Sequence, residues 1–121
     1  MVCNRPMVNE RVTITTKFPL TEKETLLAAL EVLQDSDRSF FYEETSTGFK
    51  VRNSQGEATL EWDGNQYAVK AANKFQGTKV VEPVVTMYQG MVIQNTYIEA
   101  GFMTERVQQE NNTVQVNVWR L

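Results

Sequence analysis

The stretch Phe49-Lys50-Val51-Arg52-Asn53-Ser54-Gln55-Gly56-Glu57-Ala58-Thr59-Leu60-Glu61-Trp62-Asp63-Gly64-Asn65-Gln66-Tyr67-Ala68-Val69-Lys70-Ala71 decides the fold class. Its apolar and polar residues alternate, which places side chains on opposite faces of strands. Phe49 and Val51 lie on one side, with Lys50 and Arg52 on the other. Asn53-Ser54-Gln55-Gly56 turns the chain. Ala58, Leu60 and Trp62 then alternate with Thr59 and Glu61. Asp63-Gly64 is a hairpin signal, because a type I′ turn needs positive φ at its central residues. Tyr67, Val69 and Ala71 complete the pattern against Ala68 and Lys70. With Phe40-Phe41-Tyr42 upstream, residues 39–72 read as an antiparallel meander of three or four strands whose core side carries Phe49, Leu60, Trp62 and Tyr67.

Before the meander, residues 11–18 alternate again, with Val12, Ile14 and Phe18 on one side. Pro19 ends that strand. Thr21-Glu22-Lys23-Glu24 reads as a capping box, with the Thr21 hydroxyl and Glu24 exchanging bonds with each other's amides. Leu26, Leu27, Leu30 and Leu33 follow at helical spacing, so a helix is expected over 22–34. After the meander, 73–78 reads as a loop closed by Gly77-Thr78. Apolar residues from Val81 to Ile98 return to helical spacing. Pro83 suits a first turn and Gly101 a C-terminal stop, which places a second helix at 82–100. Phe102–Gln108, Asn111-Asn112 and Val114–Val118 read as a closing hairpin. The expected class is α+β: an antiparallel sheet with two helices on one face, in the order β-α-β-β-β-β-α-β-β. Residues 1–10 read as a flexible tail and 11–121 as one domain.

Composition narrows the chemistry. The chain has 121 residues, no histidine, one cysteine and a net charge of −3. It therefore lacks Ser-His and Cys-His catalysis, His-ligated metal, an intrachain disulfide and any CxxC site. Glu43 and Glu44 are strand neighbours that point apart, and Asp35 and Asp37 read as turn formers. Glu31, Asp35 and Asp37 do not have the ligand spacing of a calcium loop. No glycine-rich loop opens a helix, so no phosphate motif is present. These absences point away from an enzyme and from a cofactor. The start has no signal-peptide core and no window suits a membrane span, so the expected compartment is cytoplasmic, with no membrane partner. Cys3 has Arg5 as its one basic neighbour in the tail and reads as an ordinary tail thiol.

Two binding surfaces remain. Trp119 is out of register with Val114, Val116 and Val118, so it points away from them, beside Arg120. Exposed Trp and Arg anchor protein interfaces. Gln115 and Asn117 share the Trp119 side, and with Gln108, Gln109, Thr13 and Thr15 would leave one sheet face polar and uncharged. The partner-binding candidates are thus Trp119, Arg120, Gln115 and Asn117. The alternative is single-stranded nucleic acid on a basic face formed by Lys50, Arg52, Lys70 and Lys74. A homo-oligomer is open on either reading.

Several short motifs carry a resemblance. Trp62-Asp63-Gly64-Asn65-Gln66-Tyr67 is similar to a W-N-G-x-x-Y hairpin. Tyr88, followed thirteen residues later by Gly101-Phe102, resembles a Q-x-Y helix ending in G-F, with Thr86 in the place of the Gln. Asn112-Thr113-Val114-Gln115-Val116-Asn117-Val118-Trp119-Arg120 resembles a G-S-I-x-L-x-V-x-R-W closing strand, with Leu121 where that strand has its last aromatic. Together these resemble the hypothetical chloroplast reading frame thirty-five family, small proteins of plastids and cyanobacteria with bacterial and phage relatives. The resemblance implies a small non-enzymatic α+β protein encoded near an AAA-type ATPase. It also implies an adaptor role toward that ATPase or a host factor, in a cytoplasm, a plastid stroma or an infected cell.

Overall fold

The computed structural model describes residues 11–16, 18–108 and 113–120. The tail expected at 1–10, with Cys3, lies outside these, as do Gln109, the Asn111-Asn112 turn and Leu121. The described chain is α+β. Its elements are β1 (Val12–Ile14), α1 (Lys23–Ser36), β2 (Phe41–Glu44), β3 (Gly48–Asn53), β4 (Gly56–Trp62), β5 (Tyr67–Ala71), α2 (Lys74–Glu99), β6 (Met103–Gln108) and β7 (Val114–Trp119). Strands β1 to β5 form one antiparallel sheet in the order β1-β5-β4-β3-β2. Four antiparallel steps make β1 and β2 parallel at opposite edges, so α1 is a crossover spanning the sheet.

The alternation read from the meander sets the core. Phe49, Val51, Ala58, Leu60, Tyr67, Val69 and Ala71 are buried on one face. Leu26, Ala29, Leu30 and Leu33 of α1 and Val80, Val81, Val84, Met87, Tyr88 and Met91 of α2 are buried with them. Both helices therefore cover the same face. Trp62 is in the core register but is 46% exposed, because β4 ends there; the Tyr67 ring stands beside it, at 5.1 Å.

Three local expectations change. First, α1 is capped from outside its own sequence. Glu22 is the N-cap and makes no side-chain cap bond. The amides of Thr21 and Glu22 instead donate to the Tyr88 hydroxyl of α2, at 3.1 and 2.9 Å. Tertiary contact displaces the local capping box, because the buried phenol needs partners as much as the helix end does.

Second, α2 begins at Lys74, eight residues before the expected start, with Pro83 inside it. Asn73 accepts a bond from the Gln76 amide at 2.8 Å and caps the helix. An interior proline costs about 3 kcal/mol. Burial of Val80, Val81 and Val84 contributes about 1.5–3 kcal/mol each and outweighs it. Gly77 belongs to this helix rather than to a loop. A Cβ there would lie 2.0 Å from Ile14 Cδ1 and 2.6 Å from Ala71 Cβ, so only glycine lets α2 settle on β1 and β5.

Third, β6 and β7 form a separate two-stranded sheet. Neither strand pairs with β1 or β2, the edge strands of the large sheet. The hairpin lies instead on the C-terminal half of α2, on a side that the sheet does not use. Gly90 permits this close approach: a Cβ there would stand 2.9 Å from Val114 Cγ1.

The helix end at Gly101 is as expected. Gly101 has φ 92°, its amide donates to Ile98, and the Phe102 amide donates to Tyr97. This is a Schellman ending with its apolar contact, Tyr97 against Phe102 at 5.6 Å. The β4–β5 hairpin also falls where expected. Positive φ sits on Gly64, and the Asp63 carboxylate accepts from the amides of Asn65 and Gln66. No helix among the described residues is long and apolar enough to cross a membrane.

Candidate functional site

The β6–β7 hairpin has two unlike faces. Pairing sets Met103 opposite Trp119, Glu105 opposite Asn117 and Val107 opposite Gln115 on the outward side. Thr104, Arg106, Val114, Val116 and Val118 alternate with these and point toward α2. Gln94 of α2 ties the inward side down. It donates to Thr104 Oγ1 at 2.9 Å and accepts from Arg106 at 2.7 Å. The outward side is open: Met103 and Trp119 are each 43% exposed and Val107 is exposed beside them. Gln115 donates to Asn117 Oδ1 at 2.8 Å, which fixes a polar pair next to the tryptophan.

This brings Trp119, Gln115 and Asn117 onto one surface. Arg120 is placed differently. Its guanidinium lies 4.9 Å over the Phe102 ring, on the Tyr97–Phe102 contact that closes α2. Arg120 thus ties the strand end to the helix end through a cation–π contact. The single polar face expected from Thr13, Thr15, Gln115 and Asn117 does not form. Thr13 lies on β1 and Thr15 follows it, whereas the two amides belong to the hairpin. Met103 and Val107 complete the outward cluster. Strand alternation across Phe102–Gln108 could have flagged them, since both share the period of Glu105.

The basic candidates lie elsewhere. Lys50, Arg52 and Lys70 are on the uncovered face of the large sheet, while Lys74 starts α2, which packs on the opposite face. Acidic residues interleave with them. Lys50 pairs with Glu57 at 2.8 Å, and Lys70 approaches Glu61 at 3.5 Å. The bond from Lys50 holds the Glu57 carboxyl below its ordinary range, so this carboxylate stays ionised into acid. Arg52 stacks on Phe41 at 5.1 Å, beside a shallow cleft of about 320 Å³ lined also by Glu43, Lys50 and Glu57. The face is a mosaic of both signs rather than a basic stripe.

Family profiles, curated proteins and solved structures offer no match to this chain. Among the described residues, no three carboxylate or thiol groups gather as a metal cluster, and Glu31, Asp35 and Asp37 stay apart in this sense. Along α1, Glu24, Glu31 and Asp35 share a groove with Arg106 and Asn95. Near its end, Tyr42 is pushed up by burial first and by Glu31, Asp35 and Glu44 second. Every buried side-chain nitrogen or oxygen among the described residues has a hydrogen-bond partner.

Proposed function

We propose that this chain is a non-enzymatic protein-binding module that docks a partner through the outward face of the β6–β7 hairpin. The observation that carries this reading is the facing pair Met103 and Trp119, half-exposed beside the Gln115–Asn117 amide pair. An aromatic anchor flanked by fixed hydrogen-bonding groups is the composition of an interface centre. The resemblance described above points to an AAA-type ATPase or a host factor as the partner. The same resemblance supports a cytoplasm, a plastid stroma or an infected cell as the proposed setting.

The test pairs two tryptophans of similar exposure. Trp119→Ala is expected to leave stability within about 1 kcal/mol, as for a half-exposed side chain, and to abolish capture of the partner that the wild type retains. Trp62→Ala should retain it. Equal capture by both variants would rule out the hairpin face. One observation favours a second reading, single-stranded nucleic-acid binding: the Arg52–Phe41 stack on the uncovered sheet face. That reading requires micromolar binding of a labelled oligonucleotide with a steep salt slope, lost in Arg52→Ala.

A further inference from the structure

The motif Trp62-Asp63-Gly64-Asn65-Gln66-Tyr67 takes no part in the hairpin face above, yet its two aromatic ends form one wall of a cleft of about 320 Å³. The facing wall is Lys23 at the start of α1, Glu44 at the end of β2 and the Ser46-Thr47 turn. Main-chain bonds hold both walls. The Trp62 amide donates to Thr47 at 2.9 Å, the Thr45 amide to Gly48 at 2.8 Å, and the Tyr67 amide to Leu20 at 2.8 Å. Gly48 lets the turn close on β4, since a Cβ there would collide with the Leu60 carbonyl oxygen. The cleft is therefore preformed, as small-molecule sites generally are.

Tyr67 is its least expected member. The residue is 7% exposed, with its ring held between Phe49 at 5.8 Å and Trp62 at 5.1 Å. A phenol buried that deeply ordinarily finds a hydrogen-bond partner. Among the described residues the Tyr67 hydroxyl meets none, whereas that of the buried Tyr88 takes two amides. No fully enclosed side-chain oxygen among these residues lacks a partner. The Tyr67 oxygen is thus the part of the residue left accessible, and the cleft is the space that the side chain lines. Other groups there have bonding capacity to spare. Trp62 is 46% exposed, and neither its indole N–H nor the Ser46 and Thr47 hydroxyls bond to another described residue. Lys23 and Glu44 share one contact of 2.8 Å, which leaves a second carboxylate oxygen and two ammonium hydrogens.

We propose that this cleft binds a neutral pyranose sugar, its C–H face against the Trp62 indole and its hydroxyls on Tyr67, Glu44 and Lys23. Charge selects the class. The ion pair gives the cleft one charge of each sign. An anion would meet Glu44 and a cation would meet Lys23, each opposed about as strongly as it is attracted. A neutral ligand meets no such opposition. It must still satisfy donors and acceptors together, because Lys23 and the indole only donate, Glu44 only accepts and the hydroxyls do both. Sugar hydroxyls do both around the whole ring, and the ring face supplies apolar cover for an exposed indole. A nucleobase also stacks, but its polar groups lie along its edges and its nucleotide adds a phosphate that Glu44 opposes. The cleft shares no residue with the β6–β7 face, so it stands or falls apart from the partner reading above.

The test is an NMR titration of the isotope-labelled full chain with glucose, galactose, mannose and N-acetylglucosamine, and with adenosine monophosphate and choline as charged comparators. At least one sugar should shift the Trp62 indole N–H and the Gly48 and Tyr67 amides while the Trp119 indole N–H stays in place. Binding should saturate on the order of millimolar, as suits about a dozen heavy atoms in an open cleft. Tyr67→Phe keeps the ring and should weaken binding about fivefold. Trp62→Ala should weaken it by more than about tenfold, and Trp119→Ala should bind as the wild type does. No shift with any of the four sugars, unchanged affinity in Tyr67→Phe, or tighter binding of adenosine monophosphate or choline at Trp62 would each overturn the proposal. If Trp62→Ala failed to fold, Tyr67→Phe would still decide it.

Discussion

The five-stranded sheet and the C-terminal hairpin are both written in alternating β-branched sequence, yet they are held by different means. Val51 and Val69 in the sheet are essentially inaccessible, whereas Val114, Val116 and Val118 in the hairpin are only half-covered. No described residue of β6 or β7 belongs to the buried core. The sheet is closed by two helices, and among the described residues no buried side-chain nitrogen or oxygen lacks a partner. The hairpin rests on one side of one helix through three valines, the Gln94 bridge and the Arg120–Phe102 stack. A two-stranded sheet is marginal by itself. It should therefore open locally at a lower free energy than the sheet unfolds, as sparsely packed units do. That difference separates a scaffold from a surface suited to exchange partners.

The contrast can be broken from the scaffold side first. Gly77→Ala should lower global stability by about 1–3 kcal/mol, as overpacking does, even after the alanine's better helix propensity. Ile14 can rotate away from the new methyl, but the Ala71 Cβ is fixed to β5. Denaturant unfolding should show a lower midpoint at an unchanged slope. Tyr88→Phe comes next. It leaves the Thr21 and Glu22 amides without their acceptor and should cost about 1–2 kcal/mol. Amide exchange at the start of α1 should rise in the same variant.

Gly90→Ala sharpens the contrast from the other side. Its methyl would meet Val114, but α2 gains up to about 1 kcal/mol in helix propensity. Global stability should change by less than in Gly77→Ala, while amides of β6 and β7 exchange faster. If both glycine variants lowered exchange protection uniformly, the hairpin and the sheet would be one cooperative unit and the distinction would fail.

The smallest effect is electrostatic. The Asp63 carboxyl is held below its ordinary range by the amides of Asn65 and Gln66, and Glu57 by Lys50. A folded-state pKa below the unfolded one adds stability that is fully present above the unfolded value. It is lost as pH falls through the depressed one. Acid titration should therefore weaken the β4–β5 turn and the β3–β4 pair below about pH 4. Asp63→Asn and Glu57→Gln should flatten that loss. The hairpin, whose ties to α2 are amides and an arginine, should not share it.

What could be read without coordinates was everything set by local periodicity. The alternation of 49–71 specified the meander and its buried face. Leu26 to Leu33 specified α1, and Gly101 specified the stop of α2 through the positive φ that a Schellman ending requires. The outward direction of Trp119, set by its offset from three valines, was legible for the same reason. Tertiary structure decided what depends on residues distant in the chain. Tyr88 replaced the local capping box because it reaches Thr21 across 67 residues. Gly77 became a helix contact because Ile14 and Ala71 lie beneath it, and Pro83 was carried inside α2 by the valines buried around it. The hairpin packs apart from the main sheet because α2 still had an apolar side to cover. Period and turn chemistry act over a few residues and leave a mark in the order of amino acids. Which surfaces meet is set by the total area that the whole chain can bury, and no short window records that.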